Sequence, residues 1–272
     1  MRKWMIVLVA VALAVGLVAC GDDDDDGGAA TTATAAAPEL GLLEPGRLQV
    51  ASDIPYAPFE FTEPGSTEAI GFDVDLVEAI AATPGIGITD VEFVKQPFDT
   101  IILSVSQGRF DMSASSFSIT PERAQQVDFS DPYFTANQSI LVKTGSDIAS
   151  LDDLEGRRIG VQRGTTGADL AATVQGAELS RYEIIDDAFN ALAADRVDAV
   201  INDFAVSAYA ATQRDDFEIS AQVPTEEGYG LVFSKENTAL RDAFNAGLAE
   251  IKANGTYDEI YRTWFGEDPP AE

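Results

Sequence analysis

Apolar residues along 48–266 recur at two alternating spacings. Short apolar runs predict strands at 48–52, 91–94, 110–114, 139–143, 158–162, 182–185, 197–201 and 229–234. Between them, apolar positions at helical spacing predict helices. Phe72, Leu76, Val77 and Ile80 form one stripe after Gly71. Ile101, Ile102 and Val105 form another over 98–107, stopped by Gly108. Further helices are predicted from Gly164 through Val174, up to Asp195, over 204–213, and over 238–253 and 256–265, with a helical turn at 151–154. Thr120-Pro121-Glu122 has the form of a helix start, with Thr as N-cap and Pro at the first helical position. Repeated strand–helix units imply an α/β fold with mostly parallel sheets covered by helices. About 228 residues is more than one small sheet requires, so two lobes are expected.

The pattern differs before residue 39. Arg2 and Lys3 precede an apolar run from Trp4 to Val18, short for a membrane span, so 1–19 reads as a signal peptide. The run ends in Leu17-Val18-Ala19-Cys20, which resembles a bacterial lipobox and implies a lipidated Cys20 anchored in a membrane; an ordinary leader with an incidental cysteine is the alternative. Residues 21–38 hold five consecutive aspartates and then small residues, without periodicity. They read as part of a tether over 20–43, not as a calcium loop, which needs spaced ligands and a turn glycine.

Composition removes whole classes of function. With 46 Asp plus Glu against 17 Lys plus Arg the formal charge is −29, so nucleic acid is not an expected partner. Histidine is absent, which excludes a Ser-His-Asp triad and a His-ligated zinc site. The lone cysteine leaves no intramolecular disulfide. No metal and no cofactor are expected.

Several strings then point one way. They are Ala51-Ser52-Asp53 with Pro58-Phe59-Glu60-Phe61, GFDVDL at 71–76, DMSASSFSITPERAQQVDFSDPYF at 111–134, GRRIGVQRGTT at 156–166, RVDAVINDF at 196–204 and NGTYDEIYRTWFG at 254–266. In this order and spacing they resemble the polar amino-acid-binding proteins of ABC importers, the solute-binding family 3 type. The resemblance implies a two-lobe clamshell of the type II periplasmic-binding-protein kind. It implies lobe 1 at 44–134 and 229–266, lobe 2 at 135–228, and a tail at 267–272. Crossover strands are expected near 132–139 and 227–231.

From the residues alone, Arg123 is a cation near a helix start, either a surface arginine paired to Glu122 or Asp128 or something more specific. The resemblance makes it the clamp for a ligand's α-carboxylate, to which a guanidinium fork is suited. It adds Ser118 and Thr166 as further donors, Thr166 from the opposite lobe at a helix N-terminus. Gly164-Thr165-Thr166 lacks the lysine of a nucleotide phosphate loop. Asp203 reads as an N-cap, and the resemblance pairs it with the α-ammonium while still capping, beside the carbonyl of Ser116. Around the ligand's side chain the resemblance places Tyr56 and Phe98 as aromatic walls, Ser115 beside them, and Asp53, Asp73 and Gln162 at the far end. Asp75 and Glu78 are expected at the surface. Gln162 stands where some relatives carry lysine and Asn202 where some carry histidine, so no relative's specificity transfers whole. If Gln162 points into the cleft, strand alternation turns Arg163 away.

The function implied is an extracytoplasmic, lipid-anchored, monomeric receptor, not an enzyme. It hands a polar amino acid of the glutamine, arginine or lysine class to the transmembrane subunits of an ABC permease. Two other readings stand on the same fold. A dehydratase of cyclic acids would have no use for an ammonium-binding Asp203. A sensory domain is expected to run on into a membrane helix, whereas six residues follow Gly266.

Overall fold

The computed structural model describes residues 39–270. The leader, Cys20 and most of the tether lie outside the described residues. The chain first forms β1 (Arg47–Ser52), a hairpin of β2 (Phe61–Thr62) and β3 (Ala69–Ile70), α1 (Phe72–Ala81), β4 (Asp90–Lys95), α2 (Phe98–Ser106), β5 (Met112–Ser113) and β6 (Asp128–Phe129). It crosses over in β7 (Phe134–Lys143) and builds β8 (Arg158–Gln162), α3 (Thr166–Ala172), β9 (Glu178–Tyr182), α4 (Ile185–Ala193), β10 (Ala199–Asp203) and α5 (Phe204–Gln213). It returns in β11 (Phe217–Tyr229) and ends with β12 (Val232–Phe233), α6 (Thr238–Ala253) and α7 (Thr256–Phe265).

Two five-stranded sheets result, ordered β4-β1-β5-β12-β6 and β11-β7-β10-β8-β9. In each, one strand runs against the others: β12 in the first and β7 in the second. β7 is itself the outgoing crossover and β12 follows the returning one, so parallel βα order holds elsewhere. Each sheet forms one lobe of a clamshell. β10 is buried along its whole length, as a strand covered on both faces must be. Helices α1 and α6 bury Leu76, Val77, Ile80, Leu240, Phe244 and Leu248 in the core.

β7 and β11 pair from Phe217 with Lys143 to Tyr229 with Phe134, and so carry the chain between lobes. A register shift between Val223 and Glu227 bulges β11. There Asn137 Oδ1 accepts the amides of Thr225 and Glu226 at 3.0 and 3.1 Å. At the base of the crossover Phe134 packs on Tyr229 at 5.5 Å and on Phe59 at 5.0 Å between ring centroids.

Several local expectations are corrected. No α-helix follows Thr120. The Thr120 hydroxyl accepts the Arg123 amide at 3.2 Å, but only a 3-10 turn, Arg123–Gln125, forms. Ala124, Gln125 and Gln126 are exposed, with no apolar stripe to bury, and the chain is drawn into β6 beside β12. The strand expected at 182–185 lies at Glu178–Tyr182, because Ile185 already begins α4. The expected 139–143 and 229–234 strands belong to longer or shorter elements around the crossover. Glu78 is exposed as expected, whereas Asp75 is half-buried and accepts the Trp264 indole N–H at 2.7 Å.

Candidate functional site

Between the lobes lies a narrow cavity, lined by Tyr56, Glu60, Phe98, Ser115, Ser116, Ser118, Arg123, Gln162, Thr165, Thr166 and Asp203. Most residues singled out in the sequence meet there. They arrive on loops that leave the ends of β1, β5, β8 and β10, where the sheets of the two lobes face each other.

At one end sits Arg123. Its Nη1 donates to the Ser118 carbonyl at 2.8 Å and its Nη2 to the Gly164 carbonyl at 2.9 Å, a bond from one lobe to the other. The guanidinium lies 5.5 Å from the Phe98 ring centre and 5.1 Å from that of Phe117. Those two rings stack at 4.3 Å. Burial lowers the Arg123 pKa, while Asp203 and Glu227 pull it back up. Its surface alternative is not realised, since Asp128 pairs with Arg241 at 2.6 Å.

Asp203 stands at the N-cap position of α5, yet its side chain makes no capping bond. Instead Oδ2 accepts the Tyr56 and Tyr229 hydroxyls at 2.6 and 2.5 Å, and Oδ1 the Gln138 amide at 2.5 Å. Three strong donors outcompete the helix amides, so the expected double duty does not occur. Burial raises its pKa against those hydrogen bonds.

Ser118 and Thr166 both donate their hydroxyls to Glu227, Thr166 at 2.6 Å, and Gln138 Nε2 reaches the same carboxylate at 3.2 Å. Glu227 therefore ties one lobe to the other from the crossover strand. Burial alone would raise its pKa, but the donors of Ser118, Thr166 and Gln138 help hold it below the ordinary range. α3 is only seven residues long, and Thr165 caps it by accepting the Ala168 amide.

The opposite end is rich in acceptors. Glu60 is fully buried and takes the Ser115 hydroxyl at 2.9 Å and, weakly, that of Ser116 at 3.5 Å. Burial, and then Asp73 and Asp53, push its pKa well above the usual carboxyl range. Gln162 Nε2 donates to Asp53 at 2.5 Å and to the Glu183 carbonyl at 2.9 Å. This leaves Gln162 Oε1 and Asp53 Oδ1 buried with no donor among the described residues. Burial raises Asp53 to about 7. Asp53 itself lies one step behind the wall, backing Gln162.

Asp73 is displaced from its expected place. It is fully buried behind Ser116, accepting that residue's amide at 3.0 Å and the Tyr133 hydroxyl at 2.7 Å. It rides on α1, whose apolar stripe carries it under the loop and not into the cavity. Burial raises it to about 6. Ser116 holds a left-handed backbone, φ 49°, uncommon for a side-chain-bearing residue. The Asp73 bond to its amide braces that conformation.

Sequence reasoning missed Glu60, Thr165, Glu227, Gln138 and Tyr229. Glu60 had a readable signal, a single acid between Phe59 and Phe61 in an apolar run. Gln138 and Glu227 had none, since they lie in the polar runs Asn137-Gln138-Ser139 and Thr225-Glu226-Glu227, which carry no apolar period. Among the described residues no cluster of three metal-ligating side chains occurs, and no helix is long and apolar enough to cross a membrane.

A polar, charged cavity between two crossover-linked α/β lobes defines a clamshell binding protein. The chain belongs to the bacterial extracellular solute-binding proteins, family 3, matched over residues 48–267. It is 32% identical to the arginine-binding extracellular protein ArtP of Bacillus subtilis, covering 97% of this chain and 98% of that one. It is 34% identical to the glutamine-binding protein GlnH of the same organism, with 78% of each covered. Among solved structures, an ancestral arginine-binding protein bound to arginine superposes with a TM-score of 0.77 at 39% identity, covering 81% of this chain and 99% of that one.

Proposed function

We propose that the protein is the extracytoplasmic receptor of an ABC importer and that its preferred solute is a basic L-amino acid, arginine foremost. The observation that carries the choice is the acceptor-only end of the cavity. Glu60 and Gln162 Oε1 gather there, with Asp53 Oδ1 one step behind Gln162, without enough donors of their own. A buried acceptor without a partner costs about 1–3 kcal/mol, and a guanidinium brings five donors in one plane. The Phe98 face and the Tyr56 ring give that plane apolar walls. The relatives named for arginine support the same reading.

In this proposal Arg123, Ser118 and Thr166 receive the α-carboxylate, and Asp203 with the Ser116 carbonyl receives the α-ammonium. The residues come from both lobes, so the full contact set exists only when the lobes meet. Closure then follows from the solute's greater affinity for the closed form. The importer's transmembrane subunits recognise that closed surface, and no bond in the solute is made or broken. Lipidation at Cys20 completes the proposal, holding a monomeric receptor at the outer face of the membrane.

The test is isothermal titration of the purified domain with arginine, lysine, glutamine and glutamate. Arginine is expected to bind tightest and glutamate weakest. Arg123→Ala should weaken every amino acid by about 30-fold or more, since it strips one partner from a desolvated charge pair. Tightest binding of glutamate, or wild-type affinity in Arg123→Ala, overturns the assignment.

A further inference from the structure

Outside the cavity, at its rim, an ion pair joins the lobes. Arg163 follows β8 on the second lobe, and Asp99 sits in the first turn of α2 on the first lobe. Arg163 Nε lies 3.5 Å from Asp99 Oδ2, and Arg163 Nη2 lies 3.1 Å from Glu183 on its own lobe. Neither Arg163 nor Asp99 lines the cavity. Arg163 Nε is shielded from solvent and makes no hydrogen bond, and the carboxylate it faces across the gap is that of Asp99, while Glu183 pairs with the same guanidinium on its own lobe. The next residue seals the contact. A Cβ added to Gly164, whose φ is +75°, would stand 3.1 Å from the Asp99 Cβ, so the second lobe's turn rests directly on the start of α2.

We propose that Arg163 and Asp99 form a latch at the mouth of the cleft that sets how long any bound solute stays, without touching the solute. The inference rests on the receptor reading above. The pair is made only when the lobes meet, so it slows opening and leaves encounter unchanged. Glu183 keeps the Arg163 side chain extended along the rim, ready for its partner. The pair is partly exposed, with side-chain exposures of 43% and 34%, so solvent screens it and its effect is moderate.

Stopped-flow dissociation of arginine and of glutamine tests this on wild type, Asp99→Asn, Arg163→Gln and the double variant. Each single change should speed dissociation roughly two- to fivefold, by the same factor for both solutes, with association unchanged. The double variant should match the faster single one, as coupled partners do. Raising salt from about 0.05 to 0.5 M should speed the wild type and leave the variants unmoved, because the Debye length shrinks from about 14 to about 4 Å and screens this partly exposed pair. Glu183→Gln, which removes only the partner on the same lobe, should dissociate no faster than wild type. Additive effects, a change for one solute alone, or a salt response that survives in the variants overturns the latch. If wild type binds neither solute, the receptor reading fails instead. The latch is then read by small-angle scattering, where Asp99→Asn at low salt should give a larger radius of gyration than wild type. An equal radius overturns it.

Discussion

Two carboxyls decide what the far end of the cavity will accept. Glu60 is fully buried and pushed towards its neutral form, with only two serine hydroxyls as donors. A cationic head group offsets its charge, whereas an amide can donate to it but leaves a buried charge uncompensated. Glu60→Gln keeps the shape and removes the charge. We expect it to weaken arginine by about 10-fold or more and glutamine by less than about threefold, since a hydrogen bond to a charged group contributes about 1.5–3 kcal/mol. Equal losses for both, measured by titration, would show that Glu60 serves the loop and not the head group. The residue scale is also where the sequence was least explicit. Arg123, Asp203 and Thr166 were found because they sit in strings that resemble a family. Their surroundings were not, because Gln138 and Glu227 reach the site only after β7 and β11 pair. Asp73 was placed at the cavity by the resemblance, but its position on α1 carries it behind Ser116.

At the scale of elements, the strands and helices with one dominant apolar run were legible: β1, α1, β8, β10, α5, α6 and α7 fall where periodicity put them. What was not legible is the crossover. β11 spans Phe217–Tyr229, but its burial alternates between half-exposed and exposed through most of that length, so it offered no continuous run. The two-residue strands β2, β3 and β6 are too short to carry a period. The start of α1 was legible through Gly71, and the structure shows why glycine stands there. Its φ is +139°, and a Cβ would lie 2.0 Å from the Phe59 carbonyl oxygen. The Asp73 amide donates to that same oxygen at 3.0 Å, so the turn cannot simply back away. Gly71→Ala should therefore destabilise the fold by about 3 kcal/mol or more, from strain and clash together. Urea unfolding followed by circular dichroism measures it. An unfolding midpoint equal to wild type would mean that the Phe59–Gly71 contact yields more easily than a packed backbone should.

The whole molecule couples solute choice to protons, because the lobes enclose the acids on which the choice depends. Asp53 moves from an ordinary 3.8 to about 7 through burial, with the Gln162 hydrogen bond opposing. The direction of the linkage follows from which form each complex holds. A raised carboxyl favours enclosure while it carries its proton. That advantage fades as pH rises from the ordinary value through about 7 and is gone above it. A complex with a neutral amide leaves Asp53 and Glu60 in this condition, protonated until pH passes their raised values. A complex with a guanidinium holds them ionised well below that. The state of the uncomplexed protein cancels in the ratio of the two affinities, so the ratio alone carries the difference in bound protons. Preference for arginine over glutamine should therefore climb from pH 5 to about 7, by up to tenfold per unit for each proton involved, and the Asp53 share should level off above about 7. Titration of both solutes at pH 5, 6, 7 and 8 measures it. Asp53→Asn should remove the Asp53 share of the slope while keeping the Gln162 contact within reach of an amide. A ratio that stays flat across this range, or that falls, would show that the enclosed acids do not meet the side chain of the solute.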